Sequence, residues 1–133
     1  MGQQQLLLII LGVIIVGIAI AVGISMFSSG SVQANRDGIV NDLNNLAANA
    51  YQFKIRPTTM GGGGGAYNTG GPGNSGYAIP TKLATNENGS YSCTKTASAV
   101  TFTGTSAAGY GTVVAVCDSS GALGSFTYSG QFN

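Results

Sequence analysis

Between Leu6 and Phe27 the chain carries no charged side chain, and its only interruptions are Gly12, Gly17, Gly23 and Ser25. At about 1.5 Å per residue such a run makes a helix of roughly 33 Å, close to the thickness of a bilayer's hydrocarbon core. A secretory signal peptide begins with positive charge, has a shorter apolar core and ends in a small-residue cleavage site. Here three glutamines, Gln3 to Gln5, precede the run, and the first charged residue is Arg36. The segment is therefore not read as a signal peptide. A permanent anchor normally carries lysine or arginine near its ends to fix its orientation. Arg36 stands nine residues beyond Phe27 and is followed at once by Asp37. The run can enter a membrane, yet little in the sequence fastens it there, which suits a helix stored in a bilayer and later withdrawn.

Beyond Phe27 the periodicity changes without a stop signal. Val32, Ile39, Leu43, Leu46, Ala47, Ala50 and Lys54 recur at spacings of three, four or their multiples, the pattern of one apolar stripe on an amphipathic helix. Pro57 ends it, since proline disfavours helix in the residue before it and has no N–H to donate. Ser28, Ser29, Gly30 and Gly38 are weak helix formers, at up to about 1 kcal/mol each. One long helix of about 80 Å is expected, bent if anywhere near Gly30.

The segment "MGGGGGAYNTGGPGNSG" follows. A phosphate-binding loop would need Gly-Lys-Ser/Thr opening a helix, and neither lysine nor helix signal is present. The segment reads either as a flexible connector or as an ordered loop lying flat on neighbouring backbone, pinned by Tyr67 and Tyr77. The rest reads as short strands. "GYAIPTKL" is an edge-strand candidate because it contains Pro80. "SYSCTKT", "AVTFTGT", "TVVAVCDS" and "GSFTYSG" are alternating or β-branched and separated by turn residues, which predicts an antiparallel meander. The boundaries expected are 1–30 for the apolar helix half, 31–56 for the amphipathic half, 57–80 for the glycine-rich loop and 81–133 for the β head. The fold class is α+β.

Cys93 and Cys117 fall in the first and third of those four segments. An even cysteine count in a small domain suggests a disulfide. It would close a loop of about 25 residues, worth roughly 3 kcal/mol in the chain-entropy model. Two buried free thiols are the alternative.

Charged residues make up 7% of the chain, five basic against four acidic, and there is no histidine. No basic stripe is present to meet phosphates, so nucleic-acid binding is not expected. Asp37, Asp42, Glu87 and Asp118 are scattered, and the serines have no evident base to activate them. No catalytic residue, metal ligand or cofactor is assigned, and the chain is not read as an enzyme. Haem attachment would need Cys-x-x-Cys-His. Asn88-Gly89-Ser90 is a formal glycosylation triplet.

A long helix, apolar first and amphipathic second, followed by a small antiparallel sheet, resembles type IV pilins and the related pseudopilins of type II secretion. The stretches "ANRDGIV", "DLNNLA", "KIRP" and "GGGG" are similar in order to those of small-headed bacterial pilin-like proteins. The likeness covers residues 1 to about 65; beyond that only the general plan of the head corresponds. It implies a homopolymer whose apolar helix halves form the filament core, with Met1, Gln5, Leu6, Leu11, Gly12, Ile14, Gly17 and Gly23 among the core residues. The glycines would let helices approach closely. It also implies storage in the inner membrane, handling by a membrane assembly machinery and a prepilin peptidase, and a filament outside the cell. Family members carry glutamate at the fifth mature position. With Met1 as the first mature residue, retained and open to methylation, Gln5 takes that place. A chain cut before Gln3 would put Leu7 there instead. A neutral amide costs less to bury than an unpaired carboxylate, so the usual pairing with a neighbour's amine would weaken to a hydrogen bond. A major pilin is the expectation; a single-span anchor for an exported domain and a pseudopilin are the alternatives.

Overall fold

The structure, a computed structural model, describes every residue except Met1, Gly71, Pro72 and Asn74. One α-helix, α1, runs from Gly2 to Ile55 without interruption. The weak helix formers between Ser28 and Gly38 do not divide it, because their summed penalty is small against an apolar run on one side and a packed stripe on the other. The chain forms two compact units, one ending at Gln33 and one spanning Ala34–Asn133.

In the second unit four strands form an antiparallel meander in the order β1-β2-β3-β4. These are β1 (Gly89–Lys95), β2 (Val100–Ser106), β3 (Thr112–Cys117) and the two-residue β4 (Thr127–Tyr128). The expected α+β architecture, a long helix packed on a small antiparallel sheet, is what the structure shows. Alternation sorts the strands into two faces. Tyr91, Val100, Phe102, Val113, Ala115 and Cys117 are buried on one face, against Ile39, Leu43, Leu46, Ala47 and Ala50 of α1. Within the stripe, Val32 and Lys54 are only half-buried. The other face carries Ser90, Ser92, Thr94, Thr105 and Val116, all exposed. Helix and sheet approach closely at Gly104, where a Cβ would come within 2.6 Å of Ile39 Cγ2. Each large aliphatic side chain buried here contributes about 1.5–3 kcal/mol.

Gly63, Gly64 and Gly65 of the glycine-rich segment cap the end of α1. A helix leaves its last carbonyls unpaired, and this loop supplies the donors. Gly63 N–H donates to Phe53 O (2.8 Å), Gly64 N–H to Arg56 O (2.9 Å) and Gly65 N–H to Lys54 O (2.7 Å). A side chain at Gly62 would overlap the Arg56 carbonyl, and one at Gly63 the Ala66 carbonyl; glycine here is a requirement of close approach. Tyr67 and Tyr77 are buried beneath the loop. The Tyr67 hydroxyl donates to Asp118 O (2.7 Å) and the Tyr77 hydroxyl to Asn49 Oδ1 (3.0 Å).

Two expectations are corrected. The segment read as an edge strand, "GYAIPTKL", contains no named strand; Pro80 instead precedes a short helix, α2 (Thr81–Ala84), whose start tolerates proline because the first N–H groups of a helix lack partners anyway. The Cys93–Cys117 disulfide is not formed: both residues are free thiols. They share the core face, but Cys93 lies on β1 opposite Phe102, and Cys117 on β3 opposite Val100. Strand β2 therefore stands between them. Two strand spacings of about 4.8 Å place their backbones beyond the roughly 7 Å that a bridge tolerates.

Candidate self-assembly surface

From Gly2 to Gly30 every residue of α1 is exposed. The large apolar side chains between Leu6 and Phe27 are 51–77% accessible, Ile14 the least and Phe27 the most. Leu6, Leu11 and Ile14 are thus as uncovered as their neighbours. Nothing lies within 4 Å of a Cβ built on Gly12, Gly17 or Gly23, so these glycines are open notches in the helix surface. Gln5 is exposed at the start of the run. Met1, the remaining residue expected at an assembly core, lies outside the described residues. A surface of this kind gains about 25 cal/mol for each Å² of apolar area withdrawn from water. Among the described residues the helix is long and apolar enough to cross a membrane, and none of that span is buried within the chain.

The head, by contrast, uses its few polar groups to lock itself. Asp42 on α1 accepts from the Tyr91 hydroxyl (2.5 Å), Asn86 Nδ2 (2.8 Å) and Asn88 Nδ2 (3.0 Å). Burial pushes its carboxyl up, but the three donors outweigh burial and hold it below the ordinary carboxylate value. Ser106 Oγ donates to Asn35 Oδ1 (2.6 Å), and Asn35 Nδ2 to Asn88 O (3.0 Å). Asn88, the acceptor of the formal glycosylation triplet, is thus engaged on both its backbone carbonyl and its side-chain amide. Asp118 closes its own turn by accepting from Ser120 and Ala122, donors that lower its pKa. Burial pushes the thiols of Cys93 and Cys117 up, which disfavours the reactive thiolate in both. Burial likewise raises the phenols of Tyr67, Tyr77 and Tyr91.

Asn35, Asn86 and Tyr91 carry no mark of this role in the sequence, where Asp42 enters only as a scattered carboxylate and Asn88 only as part of a glycosylation triplet. Their partners lie 44 to 71 residues away along the chain, and no local pattern marks such pairs. Among the described residues no group of three or more His, Cys, Asp or Glu is placed to hold a metal ion. No protein-family model matches the chain, and neither does any curated protein or solved structure.

Proposed function

We propose that the protein is the structural subunit of an extracellular helical filament of the type IV pilus kind, assembled through residues 1 to about 27. One observation carries this reading: a helix apolar on all sides, uncovered by its own chain and followed by no charge until Arg36, is continuous with the helix that anchors a small ordered head. In a bilayer that surface is hidden while the subunit waits. In a filament it packs against copies of itself, with Gly12, Gly17 and Gly23 admitting neighbouring helices. The partners implied are further copies of this chain, the inner membrane before assembly, and the membrane machinery and prepilin peptidase that the resemblance to type IV pilins and pseudopilins brings with it. The apolar length that allows membrane storage also supports a second reading, a single-span anchor for an exported head. Electron microscopy of material sheared from cells producing the full chain distinguishes them. Filaments that contain this chain are the expected result, and membrane-embedded monomers alone would overturn the proposal.

A further inference from the structure

The charges of the head are few enough to follow one by one. Asp42 and Asp118 are consumed by the hydrogen-bond donors that surround them. Arg36 lies 3.9 Å from Asp37 and over the ring of Tyr128. Lys54 donates to the Ser119 carbonyl and lies over the ring of Tyr67. Lys95 donates to the Tyr77 carbonyl (2.7 Å). Three side chains remain, all exposed and making no hydrogen bond or ion pair among the described residues: Arg56, Lys82 and Glu87. Lys82 is close in sequence to Glu87, so the carboxylate and Arg56 are the separated pair.

They cannot meet within one chain. Glu87 follows Asn86, which is tied to Asp42, whereas Arg56 lies just past the end of α1 at Ile55. From Asp42 to Ile55 the helix rises roughly 20 Å, at about 1.5 Å per residue. Each residue is also prepared for a partner. Arg56 borders an open groove of about 410 Å³, lined also by Asn49, Gln52, Phe53, Tyr77 and Pro80. Asn49 Oδ1 accepts from Tyr77, which leaves its N–H2 as a donor in the same groove. The amides and Arg56 suit a carboxylate, while the aromatic rings and Pro80 suit its methylenes. At the other end Asn86 Oδ1 accepts from the N–H groups of Asn88 (2.9 Å) and Gly89 (3.1 Å). That bend holds Glu87 at the surface in a fixed backbone, so little ordering is lost on contact.

We propose that the groove beside Arg56 receives the Thr85–Asn88 bend of a second copy, with the Glu87 carboxylate accepting from the Arg56 guanidinium. Donor and acceptor lie on different patches of the same head, so the contact can repeat from copy to copy, and the stacking of apolar helix halves in a filament selects that head-to-tail arrangement over a reciprocal dimer. It rests on the filament reading and adds to the helical core a contact between heads that fixes their register. Charge reversal in the full-length chain tests it. Arg56→Glu and Glu87→Arg each place like charges face to face and lower the yield of sheared filaments about tenfold at equal protein level. The double variant restores the pair with its polarity exchanged and returns the yield to within about twofold of the unsubstituted chain. Normal filaments from both single variants would overturn the inference and leave the filament reading intact, and so would a double variant no better than the singles. Absence of filaments from the unsubstituted chain would sink both.

Discussion

The two halves of α1 share one backbone and opposite fates. Between Ile39 and Ala50 the apolar residues Ile39, Leu43, Leu46, Ala47 and Ala50 form a stripe buried to within 3% of complete, with Val40 half-buried and Ala48 exposed beside it. Between Leu6 and Phe27 they surround the helix, and half or more of each large side chain remains accessible. A stripe can be satisfied by one sheet. A helix apolar on every side needs neighbours in every direction, which a head of this size does not supply. The difference teaches that the amphipathic half is where the sequence specifies its own fold, and the apolar half is where it leaves the fold incomplete.

The largest expected effect breaks that contrast from the apolar side. Ile14→Asp places a carboxylate where helices would bury it, a penalty of several kcal/mol for an unpaired charge. We expect filament yield in sheared material to fall below detection while the head stays folded. Normal filaments from this variant would show that the apolar half is not the core.

Next is the buried stripe. Leu43→Ala should cost about 2–5 kcal/mol by loss of transfer energy and a residual cavity. It is best measured by urea unfolding of a fragment lacking residues 1–30, which we expect to be monomeric, soluble and folded. Aggregation of that fragment would show that the head, too, needs the apolar half.

A smaller effect concerns the polar tie between helix and sheet. The Asp42 carboxyl has a folded-state pKa below its ordinary value of 3.8. Its contribution is therefore complete above about pH 4–5 and is lost as pH falls through the lower folded value. Asp42→Asn should lower stability at pH 7 by about 1 kcal/mol and flatten the acid limb of a stability-against-pH curve below pH 4. An unchanged acid limb would mean that Asp42 is not the group being titrated.

The smallest expected effect is none at all. Reduction should leave both the intact mass and the unfolding midpoint of the head unchanged, because Cys93 and Cys117 are free. Half-buried Cys93 should alkylate before buried Cys117 in the native protein. A two-dalton gain on reduction would contradict a sheet in which β2 separates β1 from β3.

The helical stripe and all four strands were legible in the sequence because each depends on local periodicity. Ile39, Leu43, Leu46, Ala47 and Ala50 are buried as their spacing requires. The cysteines show where that reasoning stops. Placing them in the first and third segments of a meander was correct, and a meander itself puts the second strand between them. The pairing inferred from cysteine count ignored what the topology implied. "GYAIPTKL" misled for a different reason: its alternation is real, but Pro80 is better placed to open a helical turn. The tie from Asp42 to Tyr91 was out of reach because it depends on which helix face meets which strand. The exposed apolar half was the most legible feature of the candidate surface, since it needs no tertiary partner to be recognised. Arg56 and Glu87 carry no local signal, since only the folded positions of the other charges leave these two without partners.

For anyone wishing to decorate this protein, the glycine-rich loop looks inviting and is the wrong place. Gly62 and Gly63 are buried, and the N–H groups of Gly63 and Gly65 pair with the last carbonyls of α1, so a tag inserted there would uncap the helix and lift Tyr67 from its seat. The turn between β2 and β3 has the opposite character. Ala107 and Ala108 are exposed, whereas Gly109 beside them holds a φ of +78° that a side chain would strain. A peptide epitope or a cysteine for dye coupling belongs at Ala108, where it would project from the head without disturbing the sheet.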